Sequence, residues 1–288
     1  MEVLAQLVTL GIAKGSLYAL LAVSFAIIFF TTRTFHLAHG AVFTLVGYCF
    51  YLFISILQFP LIVSILLSFI VSVVTGVLIE LFIYRPLRWR YASPTILLLA
   101  SLAILITAPS ILAMVFTANP LFFPNFPATS IGIGNISLSG AQVFMFSSLI
   151  FIGLVLILLR RTSTGKLLQA VADREIVAEA IGINISKVKL TSVILGSLLL
   201  VPAAILYGYD IGIIPSMGFE AILIASSCAV MGGTGNFLGA AASGIIIGIA
   251  MRAGTIYISS SWQDGIAFLV LVLVVLFRPE GLFRGKIT

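Results

Sequence analysis

The chain consists of long apolar stretches separated by short polar segments. Six such stretches run at about Leu7–Phe30, Leu37–Leu57, Leu61–Tyr84, Thr95–Thr117, Val143–Leu159 and Leu190–Tyr209. Each is close to the roughly 20 residues that a helix needs to cross the hydrocarbon core of a bilayer. The pattern therefore predicts an all-α, polytopic bundle of transmembrane helices, with residues 1–288 forming a single domain.

The pattern becomes less regular after residue 210. Ala221–Met231 is apolar but short, a glycine-rich break follows at Gly232–Asn236, and further apolar runs occupy Phe237–Met251 and Ile266–Phe277. We therefore expect about eight spans, within a range of seven to nine, including a pair of short or broken helices around the break. Irregular backbone at membrane depth must be satisfied by protein or by a water-filled cavity. A cavity or close helix packing is one interpretation of the break, and a plain cytoplasmic turn is the other.

Composition supports a membrane location. The chain is 61% apolar and 8% charged, whereas a soluble domain has about 25% charged residues to cover its surface. The net charge of +6 does not indicate a nucleic-acid partner, because the basic residues form short clusters between apolar runs rather than one basic face. We expect membrane lipid, and no nucleic acid, around this chain.

The distribution of basic residues predicts the orientation. If the cytoplasmic side carries the positive charge, thirteen of the 15 Lys and Arg residues lie inside, all but Lys14 and Arg252. The N-terminus is then outside and the C-terminus cytoplasmic. The uncharged, proline-containing stretch Asn119–Gly140 becomes an extracytoplasmic loop with a short interfacial segment. Lys14 and Glu80, near the ends of spans, are expected to snorkel towards water, Glu80 at the inner face beside Arg85 and Arg88.

The most polar part of the chain is the segment Arg160–Lys189. Apolar residues recur there at roughly helical spacing, at Leu168, Val171, Ile176, Ala180 and Ile183. This spacing predicts one amphipathic helix outside the bilayer, ended by Gly182 and Asn184. Two interpretations remain open, a solvated loop and a docking surface for a cytoplasmic partner.

Several motifs give the chain a resemblance to a known family. In the segment just described, Glu179-Ala180 followed by Gly182 resembles the cytoplasmic coupling loop of ABC importer permeases. The further matching stretches are Phe35–Gly40 (departing at Phe35 and His36), Tyr84–Arg88, Gly232–Ala240 and Arg278–Gly285. Together they resemble the branched-chain amino acid permease family of the high-affinity Leu/Ile/Val type, with urea and short-amide permeases as close siblings.

The resemblance implies a permease subunit of an ABC importer in the cytoplasmic (inner) membrane, which moves branched-chain or related small amino acids inward. It also implies three kinds of partner: two ATPase subunits, a second homologous permease in a homo- or heterodimer, and an extracytoplasmic substrate-binding protein. The chain has no phosphate-binding Gly-rich motif of its own. We therefore expect no enzymatic activity, no catalytic residue and no cofactor.

The resemblance also suggests functional residues. Those expected to couple to the ATPase are Gly165, Arg174, Glu175, Glu179, Ala180 and Gly182. Those expected near the substrate path are His39, Gly40, Gly232, Gly233, Gly235 and Asn236. The two histidines, His36 and His39, lack nearby ligand partners in the sequence, so a structural role is expected and no metal.

Two other classes of protein remain as rivals. An autonomous channel or secondary carrier would not need the charged segment, and ion-coupled carriers usually hold Asp or Glu at mid-membrane. A membrane-embedded enzyme would need a cluster of His, Asp or Cys within the spans. The sequence pattern favours neither.

Overall fold

A computed structural model describes residues 2–123, 130–133, 136–233, 235–256, 259, 262–278 and 281–283. The helices of the first half are α1 (Glu2–Thr32), α2 (Ala38–Tyr51), α3 (Leu61–Ile79), α4 (Arg85–Trp89), α5 (Pro94–Phe116) and α6 (Gly140–Arg161). Those of the second half are α7 (Ser163–Asp173), α8 (Glu175–Ala180), α9 (Ile185–Ile211), α10 (Met217–Gly232), α11 (Phe237–Gly254) and α12 (Gln263–Phe277). Two π-helical stretches, Leu52–Ile56 and Glu80–Tyr84, continue α2 and α3.

Within the described residues, seven helices are long and apolar enough to cross a membrane. They are Ala5–Thr32, Ala38–Ile56, Leu61–Trp89, Pro94–Phe116, Gly140–Arg161, Ile185–Ile211 and Phe237–Gly254. These bounds confirm the predicted polytopic helical bundle. The pair flanking the glycine-rich break is short, because the 16 residues of α10 and the 18 residues of α11 span about 24 and about 27 Å, whereas the hydrocarbon core is about 30 Å thick.

Helix α3 shows how the sequence suits a lipid environment. Its buried face is a row of small residues four positions apart, Ser64, Ser68, Ser72 and Gly76, and its exposed face carries Ile62, Leu66, Ile70 and Val74. From this row, the hydroxyl of Ser72 donates a hydrogen bond to the Ser197 carbonyl of α9 at 2.8 Å. Small residues allow close helix approach where lipid, rather than water, surrounds the bundle.

Side-chain caps fix where several helices begin. The side chains of Ser93, Thr162, Asn184 and Asn236 accept hydrogen bonds from backbone N–H groups at the starts of α5, α7, α9 and α11. Each side chain satisfies a donor that the helix itself leaves unpaired. Asn184 therefore begins a new helix, and only Gly182 has the helix-ending role predicted for both residues.

A short hairpin departs from the all-α pattern. Strands β1 (Ser130–Ile133) and β2 (Ile136–Ser139) pair antiparallel, with Ser130 opposite Ser139. They lie in the stretch that we predicted to be a loop with a short interfacial segment. Pro124 and Pro127, on which part of that prediction rested, lie outside the described residues.

The chain divides into two compact units. One comprises Met1–Ala26, Phe126–Leu158 and Leu223–Thr288, and the other comprises Ile27–Asn125 and Leu159–Ile222. The first contains the glycine-rich break and the second contains the polar segment after α6. That residues 1–288 act as one domain stays a prediction.

Within the first unit, α1 and α11 pack through two matched glycine pairs. Gly11 and Gly15 on α1 face Gly244 and Gly248 on α11, and a Cβ added at any of the four would meet backbone of the opposite helix at 3.0 Å or less. In each helix the glycines are four residues apart, as in the small-xxx-small interfaces of membrane helices. The absence of side chains there lets the two backbones touch.

Candidate functional site

The polar segment after α6 folds as two helices rather than the single predicted helix. Helix α7 ends at Asp173, Arg174 is extended, and α8 follows over Glu175–Ala180. Leu168 and Val171 are buried as predicted, but Ile176 and Ala180 are exposed. The break rotates α8 out of register with α7, so the predicted apolar stripe does not continue across it. We call residues 163–182, which lie within the predicted segment Arg160–Lys189, the coupling segment after the role predicted for it.

Helix α8 presents apolar side chains outward. Ile176 is 83% exposed and Ile181, just after the helix, is 73% exposed, with Val177 also exposed. These side chains belong to a charged segment that is not among the candidate spans. Exposed apolar residues rimmed by charge are typical of surfaces that contact a protein or a membrane.

Five of the six residues predicted to couple to an ATPase lie on this surface or border it. Arg174, Glu179, Ala180 and Gly182 are exposed, and Glu175 is partly exposed. Gly182 has a φ of +88° and ends α8. Gly165 does not lie on this surface but is buried. A Cβ at this position would overlap the backbone of Leu159. Its absence of a side chain permits the tight turn from α6 into α7.

Two contacts that the sequence did not reveal hold the coupling segment. The Arg33 guanidinium, immediately after α1, donates to the carbonyl of Ala172 in the last turn of α7. The Lys189 ammonium of α9 donates to Oε1 of Glu175 at 2.6 Å. The first contact satisfies a carbonyl at the negative end of a helix dipole, and the second is a partly buried ion pair.

The second predicted group of residues divides between two places. His39 is buried in the first turn of α2, and Gly40 packs against Gly218 of α10. A Cβ on either glycine would overlap the carbonyl oxygen of the other. Their position near a substrate path stays a prediction.

The glycine-rich break is a densely packed turn. The backbone of Gly232 lies against that of Gly239 and Ala240, and Gly233 and Gly235 have positive φ angles of 96° and 82°. Asn236 accepts from the Gly239 N–H at 3.0 Å through Oδ1. The ends of α10 and α11 are therefore in close contact across this turn; Thr234 lies outside the described residues.

The C-terminal segment joins this turn. The Leu282 N–H donates to the Met231 carbonyl at 2.8 Å, and Nδ2 of Asn236 donates to the Phe283 carbonyl at the same distance. A Cβ on Gly281 would meet Gly233. Two of the predicted motifs, the break and the C-terminal stretch, therefore meet in space; residues 279, 280 and 284–288 lie outside the described part.

The two charges predicted to snorkel are buried. Lys14, within α1, is 6% exposed. Glu80 is 2% exposed and forms an ion pair with the guanidinium of Arg88, eight residues later in the same continuous helical segment. Placing Glu80 beside Arg88 was correct, but its carboxylate is stabilised by pairing rather than by reaching water. Arg85 instead lies over the ring of Trp89, with its guanidinium carbon 4.7 Å from the ring centroid.

His36 packs in the connection between α1 and α2. Its ring lies 4.5 Å, centroid to centroid, from that of Tyr84. Burial lowers the pKa of His36 from 6.5 to about 4, and the nearby positive charge of Arg88 acts in the same direction. The residue is therefore neutral at physiological pH and serves packing.

Comparison with known proteins gives one consistent family. The family described as branched-chain amino acid transport system / permease component matches residues 7–275. The high-affinity branched-chain amino acid transport system permease protein BraD of Pseudomonas aeruginosa is 29% identical, covering 97% of this chain and 95% of its own length. The corresponding LivH of Escherichia coli K12 is 26% identical, covering 94% and 92%. A probable LivH of Methanocaldococcus jannaschii is 28% identical, covering 94% and 90%.

A solved structure shares the fold. It is PsaBC from Streptococcus pneumoniae in complex with Fab, with a TM-score of 0.54 at 11% identity, covering 94% of this chain and 91% of that one. At that identity the likeness concerns the fold alone. The family match spans nearly all of the helical bundle described above, and the chain belongs to the family of branched-chain amino acid transport system permease components.

Proposed function

We propose that this chain is the permease subunit of an ABC importer that moves branched-chain or related small amino acids inward across the cytoplasmic membrane. The observation that carries the proposal is the exposed apolar surface of α8 in a chain of this permease family. Arg33 and Lys189 attach this part of the chain to α1 and α9. Such a surface outside the spans suits a protein partner. The relatives' names supply the substrate class.

The partners follow from this assignment. Two ATPase subunits supply the energy and dock on the coupling segment through Arg174, Glu175, Glu179, Ala180 and Gly182. A second homologous permease, identical or not, completes the path, and an extracytoplasmic binding protein delivers the substrate. His39, Gly40 and the residues of the glycine-rich break are the proposed positions closest to that path.

The proposed orientation has the N-terminus outside and the C-terminus in the cytoplasm. Its support is that basic residues from distant parts of the chain gather at the coupling segment, where Arg33 and Lys189 both make contacts. Separately, the hydrogen bond from Leu282 to Met231 brings the C-terminal segment to the glycine-rich break. Both arrangements agree with the orientation inferred from positive charge.

Co-purification with the ATPase subunits tests the assignment. Ile176→Glu places a charge on the exposed α8 surface, and we expect it to remove the ATPase from the detergent-solubilised complex. Gln58→Glu, on an exposed position between α2 and α3, is the control and should retain the ATPase. A wild-type chain that purifies without any ATPase, yet transports, would identify an autonomous carrier and overturn the proposal.

A further inference from the structure

The coupling segment can transmit force only if it moves together with the transmembrane helices. Its chain connections alone do not ensure this, because the link to α9 passes through Gly182, a glycine with a φ of +88°. Non-covalent contacts must therefore fix the segment in place. The described side chains provide two charged contacts of this kind, at Arg33 and Lys189.

Arg33 connects the segment to α1. The last turn of α1 is well formed, since the hydroxyls of Thr31 and Thr32 each donate at 2.8 Å to the carbonyl four residues earlier. Arg33 follows directly with a φ of +53°, which turns the chain out of the helix. Its guanidinium bonds the Ala172 carbonyl, whose residue is 1% exposed. The end of α1 is thus joined to the end of α7.

Lys189 connects the segment to α9. Its side chain is 10% exposed and lies 2.6 Å from Oε1 of Glu175, whose side chain is 37% exposed. Glu175 is the first residue of α8, where a negative charge is favourable. Because its lysine end is largely buried, this pair is screened less than one between two exposed side chains.

The two contacts flank the break in the segment. Ala172 and Glu175 stand on either side of Arg174, the extended residue between α7 and α8. Resting on the proposed function, we infer that Arg33 and Lys189 are positioning residues that fasten this corner to α1 and α9, so that movement of a docked ATPase reaches the spans. Loss of either contact leaves docking intact and weakens coupling.

The test uses the whole complex in proteoliposomes, with its ATPase subunits and a leucine-loaded binding protein. Arg33→Asn removes the guanidinium, and asparagine tolerates a positive φ. Gln58→Asn is the matched control, because Gln58 is exposed and also has a φ of +53°. Lys189→Glu breaks the second contact, and Lys189→Arg is the conservative variant that keeps a positive charge opposite Glu175.

The readouts are the ATPase content of the complex and the leucine transported per ATP hydrolysed. We expect Arg33→Asn and Lys189→Glu to keep wild-type ATPase content and to lower transport per ATP at least about fivefold. The Gln58→Asn control and Lys189→Arg should remain near wild type. Unchanged transport per ATP in either single variant would overturn the inference for that residue. Loss of the ATPase from the complex, with unchanged transport per ATP in the complexes that retain it, would also overturn it. A wild-type complex lacking ATPase would instead overturn the proposed function.

Discussion

The backbone of Gly248 in α11 lies against that of Gly15 in α1, with no room for a methyl group between them. Contacts of this type join helices when the surrounding solvent is lipid, since neither helix gains by hiding apolar side chains from water. The close packing of these two helices therefore requires glycine, the residue without a side chain, at these positions.

Substitution at this contact should be costly. Gly248→Ala forces α1 and α11 apart, and we expect a loss of about 1–3 kcal/mol in stability, as for other overpacked cores. Gly153→Ala in α6 is the matched control, because nothing lies within 4 Å of a Cβ added there. Thermal unfolding in detergent should show a lowered midpoint for Gly248→Ala alone; equal midpoints would contradict the packing described.

Asn236 should show two separable roles. Asn236→Ala removes both the cap on α11 and the bond to Phe283, and the lost cap costs about 1 kcal/mol. Asn236→Asp keeps the acceptor for the Gly239 N–H and loses the donor to the Phe283 carbonyl. Hydrogen exchange should therefore increase around residues 281–283 in both variants, and near Gly239 only in Asn236→Ala. Increased exchange at Gly239 in Asn236→Asp would count against the capping role.

The buried His36 should make stability depend on pH. Its pKa is about 4 when folded and 6.5 when exposed, so the unfolded chain binds more protons between these values. The contribution is complete above pH 6.5 and is lost as the pH falls towards 4, amounting to about 3 kcal/mol. Thermal unfolding at pH 7.5 and pH 5 measures the part of this contribution that is lost above pH 5, about 2 kcal/mol.

A variant isolates the His36 contribution from those of other groups. His36→Phe keeps a ring against Tyr84 but cannot take up a proton. We expect a smaller drop in unfolding temperature between pH 7.5 and pH 5 for the variant than for the wild type. The same drop in both would show that His36 does not carry the pH dependence.

Breaking the Glu80–Arg88 pair should leave a buried carboxylate with only the more distant positive charges of Lys189 and Arg85. We expect Arg88→Met to cost about 3 kcal/mol, whereas removing both charges in Glu80→Gln with Arg88→Met should recover most of that loss. Unfolding midpoints of the two variants in the same detergent provide the comparison. If the double variant proved as unstable as the single one, the pair would not account for the effect.

The spans were predictable because length and apolarity alone define them. Helix α9, expected at about Leu190–Tyr209, extends over Ile185–Ile211, and the difference arises from the Asn184 cap. The glycine pairs of α1 and α11 were also readable, since Gly11–Gly15 and Gly244–Gly248 have the small-xxx-small spacing of membrane interfaces. That spacing was the overlooked signal.

Other features depend on residues far apart in the chain. Arg174 is neither glycine nor proline, so nothing local indicates that the helix breaks there. The contact of Arg33 with Ala172 joins residues 139 positions apart, and hydrophobic periodicity carries no information about such a pair. The burial of Glu80 has a different cause, because a carboxylate near the end of a span can either reach water or pair with a basic residue such as Arg88, and the sequence pattern does not distinguish the two.

The most direct test of the central claim is ATP-dependent uptake of labelled leucine by proteoliposomes. They would contain this permease with its partner permease and ATPase subunits, with ATP in the lumen and the binding protein outside. We predict uptake that requires both ATP and the binding protein and is competed by isoleucine and valine but not by urea. Leucine uptake without ATP, or ATP-dependent uptake of urea and not of leucine, would contradict the account.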